Sequence, residues 1–404
     1  MGEVADPRGR HGRRWPLRTL LTAVVLGVAA GCKSLLHTEA LTDELSPAVR
    51  QRLGLLRRVP DTTMRQALVQ IAPSQLRRSL WAQVKAAFRR KALAPVGLPF
   101  GVMSVDGKSS TSPTSDGRYA QRQEHSEGGG SSGLVRTMTF SLVSSAAKVC
   151  LDAVPIPPAT NEMGHFQTAL RSMLKGLGRC RPFRLVTYDA GACSEANARA
   201  IRGENLDYLL ALNEAQPTLY LEAQRLLAAA TKVAAETVDV LANDCTVTRR
   251  LYWTGEMAGY LDWTHLTTVL RVESVKEVRG EIVAQESRYF LSSLVPGALT
   301  GKQWLRVVRS HWAVENNCHH TWDAVFREDD HPWIEKDPQG MVVVMLLRRI
   351  AYNLLALFRA VTQRSEERRQ TPWRDLLRWL NQAVLAATED DLSGLRVREA
   401  AATL

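Results

Sequence analysis

Apolar positions along this chain switch between helical and strand-like spacing, and the switches divide it. A run from Thr19 to Gly31 is apolar almost throughout and is followed by a helical pattern around Val49 to Leu56. Thr62 to Ala92 spaces its apolar residues by three and four and breaks at Pro73-Ser74, which predicts two amphipathic helices. At Leu98 the texture becomes that of a buried strand, and Pro99 to Lys108 ends in Asp106-Gly107-Lys108. Ser109 to Gly133 is rich in Ser, Gly and Thr and predicts a flexible loop. Strands are then expected at Val135 to Val143 and Lys148 to Ile156, and a helix at Met163 to Leu177. Phe183 to Ala190 is another apolar strand carrying an aspartate at its end, Asp189. A helix follows at Ser194 to Arg202 and a buried strand at Leu206 to Leu212.

That order, with aspartates closing two strands, is the order of a ribonuclease-H-like α/β fold, a mixed sheet with helices on both faces. The core fold does not need the hundred or so residues that come next. Ala223 to Asp239 reads as an alanine-rich helix. Arg249 to Thr254, Leu266 to Ser274, Gly280 to Glu286 and Arg288 to Leu294 read as strands. The expected organisation is a helical N-terminal domain (1–95), a catalytic domain (96–330) interrupted by a strand-containing insertion (about 213–288), and a helical, basic C-terminal region (331–404). Gly340 to Thr362 and Pro372 to Ala387 supply the helices of that last region.

One stretch concentrates the chemistry. Between Gly301 and Trp333, Val308, His311, Glu315, His319, Trp322 and Phe326 fall at spacings of three and four, so they share a face of one expected helix. Glu315 is the lone carboxylate of that face: either the helix is exposed and Glu315 pairs with His311 or His319, or it is a metal-binding or catalytic carboxylate, since burying it requires a neutralising cation or metal. The two aspartates at the strand ends are its candidate partners. A zinc site built from His311, Cys318, His319 and His320 is disfavoured, because the adjacent His319 and His320 point to different sides of a helix.

Composition sharpens this picture. Lys and Arg outnumber Asp and Glu by 52 to 41, a net charge of +11 that suits a polyanionic partner. Arg77, Arg78, Lys85, Arg89, Arg90 and Lys91 give the second N-terminal helix a basic face, open to reading as a solvated surface or a DNA-backbone contact. The six cysteines are scattered without a C-x-x-C pair, which speaks against a disulfide framework and for a reducing cytoplasm. The glycines at 128–130 and 133 form no phosphate loop, since no Gly-Lys-Ser/Thr follows. Arg8 to Arg18 ahead of the apolar run, with Cys32 behind it, imitates an export or lipoprotein signal. The run is short for a membrane span, which needs about 18 residues. A buried helix in a cytoplasmic protein without a membrane partner is the favoured expectation.

Taken in order, the residues carry a resemblance. Val105-Asp106-Gly107-Lys108, Asn161-Glu162, Val186-Thr187-Tyr188-Asp189-Ala190, Asp207 to Leu212 with Gln216-Pro217, and Arg271-Val272-Glu273-Ser274 come first. Arg288 to Leu294, Arg309-x-His311-Trp312-x-x-Glu315-Asn316, Asp323 and Phe326-x-Glu328-Asp329 follow. This set resembles DDE-type insertion-sequence transposases, in the branch that includes the H-repeat-associated proteins, over nearly the whole chain. The resemblance implies catalytic and metal-binding roles for Asp106, Asp189 and Glu315. It implies supporting or DNA-contacting roles for Lys108, His311, Trp312, Asn316, His319 and Asp323. The implied cofactor is Mg²⁺, with Mn²⁺ able to substitute, because carboxylate and phosphate oxygens suit these ions. The implied partners are double-stranded DNA, both transposon ends and target, and further copies of the chain. Related transposases carry a Tyr, an Arg and a Lys where this chain has Val308, His311 and Trp322. The alternative is therefore a transposon-derived DNA-binding protein that has lost catalysis.

Overall fold

Pro16 and the residues after it leave the apolar run no polar face, and it folds as a buried helix, α1 (Leu17–Ala29). In this computed structural model, which describes residues 4–115, 117–124, 130–228 and 232–394, four more helices follow. They are α2 (Leu35–Glu44), α3 (Pro47–Leu53), α4 (Asp61–Leu68) and α5 (Pro73–Arg89). Ser34 and Ser46 cap α2 and α3 by accepting from the backbone N–H three residues on. Gly27 lets α2 approach α1, since a Cβ there would stand 2.2 Å from the Thr38 hydroxyl. The break expected at Pro73-Ser74 is the start of α5, with proline opening the helix where its missing N–H costs nothing.

The strands begin with β1 (Val102–Ser112), β2 (Ala120–Glu124), β3 (Ser131–Leu142) and β4 (Cys150–Pro155). The expected Ser109–Gly133 loop is thus corrected. Its ends extend β1 and β3, and β2 pairs antiparallel with Ser131 to Val135; residues 125–129 lie outside the described residues. Helix α6 (Glu162–Leu177) precedes β5 (Leu185–Tyr188), α7 (Glu195–Gly203) and β6 (Asp207–Leu212). β5 runs parallel to both β1 and β6, and β4 runs antiparallel to β3.

The segment after Leu212 folds as α8 (Pro217–Ala228), β7 (Ala235–Leu241), β8 (Cys245–Thr254), β9 (Thr268–Val278) and β10 (Glu281–Ser292). Two expectations change here. The expected Ala223–Asp239 helix ends with α8 at Ala228, residues 229–231 lie outside the described residues, and Ala235 opens β7, where Val238 and Val240 stand at strand spacing that an alanine count obscures. The two strands expected around Ser287 are one, β10, paired along its length with β9. This meander joins the main sheet where β10 pairs antiparallel with β6, so the order runs β3-β1-β5-β6-β10-β9-β8-β7, with β4 also on β3. Helix α9 (Gly301–His311), opened by a Thr300/Gln303 capping box, buries Trp304, Leu305, Val307 and Val308 with Val102, Leu185, Leu209, Leu270 and Phe290.

The chain ends with α10 (Pro338–Leu357), α11 (Glu366–Arg369), α12 (Trp373–Ala386) and α13 (Glu389–Ser393). Two compact units result: one of Met1–Gln83, Ser109–Val135 and His320–Leu404, the other of Val84–Lys108 and Arg136–His319. In the first, α1 packs on α2, α4, α10 and α12. The α10 segment, Pro338–Thr362, is long and apolar enough to cross a membrane by length and composition, yet 83% of its apolar window is buried within the structure. Its inward face includes two arginines. Arg349 pairs with the fully buried Glu328 and stands 3.8 Å over the Trp322 ring, while Arg348 donates to the His331 carbonyl. Removing one member of such a pair strands a buried charge. Glu328→Gln is therefore expected to lower unfolding free energy by about 3–5 kcal/mol in urea titration.

Candidate active site

Alternation along two paired strands builds the site. Val102, Ser104 and Asp106 share one face of β1, and Leu185, Thr187 and Asp189 continue the same face of β5. Register sets Val102 beside Leu185 and Ser104 beside Thr187, so the aspartates emerge at neighbouring strand ends. Helix α9 covers this face, and His311 at its end touches both strands. Its Nδ1 lies 3.3 Å from the Ser104 hydroxyl and 3.2 Å from that of Thr187. Ser104 also donates to the His311 carbonyl at 2.8 Å.

Past His311 the expected single helix does not continue. Val314–His319 and Thr321–Val325 form wide π-helical turns. The correction changes how Glu315 is presented. His311, Trp322 and Phe326 are buried, as an apolar face requires, but Glu315 is exposed and turned off that face. His319, one wide turn further, places Nδ1 3.2 Å from Asp106 and Nε2 3.1 Å from the Thr139 hydroxyl of β3. Cys318 is anchored beneath it, 3.1 Å from the Ser141 hydroxyl.

The acidic groups feel one another. Burial raises the Asp189 carboxyl above the usual carboxylate range; the Ala192 N–H at 3.2 Å opposes the shift and nearby Asp106 adds to it. Partial desolvation raises the Glu315 carboxyl even though its side chain is exposed, reinforced by Asp106 and Asp189 and opposed by His319. A fourth carboxylate, not assigned from the sequence, joins them. Glu162 at the start of α6 is raised by burial, and Asp106 and Asp189 push it further. The Tyr188 hydroxyl donates to it at 2.8 Å. Its signal was present in the Asn161-Glu162 motif piece, where Asn161 caps α6 by accepting from Gly164.

The remaining expected residues divide between the two units. Trp312 and Asn316 line a cavity of about 470 Å³ with Arg249, Arg288 and Arg309, and Arg288 lies 4.5 Å over the Trp312 ring. Asp239 ties Arg249 and Arg309 together there. Lys108 is buried, two residues beyond Asp106 on β1. Asp323 lies in the other compact unit, lining a cavity with Arg374 and Arg378.

As to a metal, the donors are carboxylate oxygens held in mutual repulsion, a set whose chemistry fits a hard divalent cation. Among the described residues, no three His, Cys, Asp or Glu side chains are gathered closely enough to hold a metal ion.

His311 offers a pH test. Burial lowers it from 6.5 to about 4, against a partial opposing pull from Asp106. A folded value below the unfolded one gives stability that is full above about pH 6.5 and drains as pH falls toward 4. His311→Asn is expected to lose less melting temperature than the wild type between those two pH values, read by circular dichroism.

Comparison with known proteins places part of the chain. Residues 1–82 match the family model described as DDE_Tnp_1-associated, which is 82 of the 404 residues. Among curated proteins none matches. Among solved structures, the chain is similar to a cryo-EM structure of the piggyBac transposase synaptic complex with hairpin DNA. Sequence identity is 11% and the TM-score 0.43, over 94% of this chain and 72% of that one. So slight a likeness carries no argument about activity.

Proposed function

We propose, on the match of residues 1–82 to the DDE_Tnp_1-associated family model, that this chain is a DDE-type transposase that cuts and joins DNA strands at insertion-sequence ends. The observation that carries the reading is the shared face of β1 and β5. It brings Asp106 and Asp189 to adjoining strand ends, and Glu315 is raised by desolvation with the charge of both adding to it. The sheet order β4-β3-β1-β5-β6, with β1, β5 and β6 parallel, supports a ribonuclease-H-like core. The β7–β10 meander is then the insertion before the last acidic residue.

Asp106, Asp189 and Glu315 would hold Mg²⁺, or Mn²⁺ in its place. When bound, the metal supplies activation of the attacking hydroxyl and neutralisation of the leaving oxygen in an in-line phosphoryl displacement. The chain's own residues prepare that site. His319 fixes one oxygen of Asp106, and neutral His311 joins α9 to both strands without adding charge. Arg288, Arg249 and Arg309 beside Trp312 offer cations to a phosphate backbone. The net charge of +11 suits double-stranded DNA as partner, both element ends and target. Holding two ends at once calls for at least two copies of the chain, acting in the cytoplasm.

The second reading, a DNA-binding descendant without catalysis, rests on Val308, His311 and Trp322 standing where relatives carry other residues. Strand transfer with the element's own ends separates the two. Metal-dependent joining by the wild type, absent in Glu315→Gln with end binding retained, is the expected result. End binding without nicking in the wild type selects the second reading.

A further inference from the structure

The carboxylate of Glu162 reaches the site from the side opposite α9. Its two contacts, Gly107 and Tyr188, alternate with Asp106 and Asp189 along their strands, and so belong to the other face of the sheet. Tyr188 confirms that face by packing on Phe166 of α6, ring centroids 4.9 Å apart. The Tyr188 hydroxyl donates to Glu162 Oε1 at 2.8 Å, and the Gly107 backbone N–H donates to the same carboxylate. The approach to Gly107 is so close that any side chain would block it: a Cβ there would stand 1.9 Å from Glu162 Oε2. One carboxylate on one helix end therefore binds the residue after the first aspartate and the residue before the second.

We propose that Glu162 is a positioning residue that fixes the spacing of Asp106 and Asp189, and so the affinity of the site for a divalent ion. This rests on the metal-dependent reading above. Glu162 meets Tyr188 and the Gly107 backbone on the face away from α9, so its proposed role is exerted through the neighbouring aspartates. A tie to the residue next to each aspartate holds the pair against the repulsion that would otherwise spread them. Without the tie the strands remain paired, because their register is set by backbone bonds and by the buried face under α9. Metal affinity is lost while the fold survives.

The test uses the full chain and Mn²⁺ alone, with binding read by electron paramagnetic resonance and folding by thermal melting in chelator. Glu162→Gln is expected to weaken Mn²⁺ binding about 10- to 100-fold, as the loss of an outer tie to metal ligands does. Tyr188→Phe, which keeps the ring and removes the donor, shifts affinity the same way by less. The double variant is no weaker than Glu162→Gln, since both changes cut the same tie. Strand transfer by Glu162→Gln returns as Mn²⁺ is raised. Wild-type affinity in Glu162→Gln overturns the proposal, as does a lower melting point with affinity unchanged. If Glu162→Gln does not fold, Tyr188→Phe decides by the same two readouts. Asp106→Asn separates the two levels of the argument. Binding lost there but kept in Glu162→Gln removes the positioning role alone. Binding kept in Asp106→Asn, or missing in the wild type, removes the metal-dependent reading and the proposal with it.

Discussion

The molecule's chemistry depends on the pairing of β1 with β5. Register places Ser104 beside Thr187, and two residues further on the same alternation brings out Asp106 and Asp189 at adjoining strand ends. Two carboxylates so placed repel, and the Asp189 carboxyl is raised by partial desolvation with the charge of Asp106 adding to it. The surrounding structure holds that arrangement from every side. α9 covers the face beneath, His319 takes an oxygen of Asp106, and Glu162 ties the opposite face. A slip of one residue in this pairing would put the two aspartates on opposite faces of the sheet.

Around that pair the sheet grows both ways, through β3 with β2 and β4 beyond β1 and through β6 beyond β5. β10 adds to β6, and β9, β8 and β7 follow by short connections, which carries Arg249, Arg288 and Asp239 to the flank of α9. The insertion is thus continuous with the sheet that bears the aspartates, and Arg288 reaches Trp312 from it. In the other unit, the long apolar α10 turns two arginines inward, where Glu328 and the rings of Trp322 and Trp333 receive them.

Much of this was legible in the sequence because strand alternation and helical spacing are local signals. Asp106 and Asp189 were found from apolar runs that end in a carboxylate, and β5, α7 and β6 fall within a few residues of their expected positions. The misses have physical reasons. A π turn needs no unusual residue, so nothing in His311 to Phe326 announced that the helix would widen and expose Glu315. Val238 and Val240 were outweighed by a preceding run of alanines, and β2 has a polar sequence because most of it is exposed. Glu162 was invisible as a site residue, since its role depends on a helix end meeting two strands distant from it in sequence. Gly107, which must lack a side chain, and the Asn161-Glu162 motif piece were the traces of that meeting in the sequence.

Anomalous scattering from Mn²⁺ in crystals of the full chain tests the central claim most directly. The account predicts ion density bounded by Asp106, Asp189 and Glu315, with Glu162 still bonded to Tyr188 and outside the ligand set. An ion held elsewhere in the chain, or taken by Glu162 in place of Glu315, would contradict it.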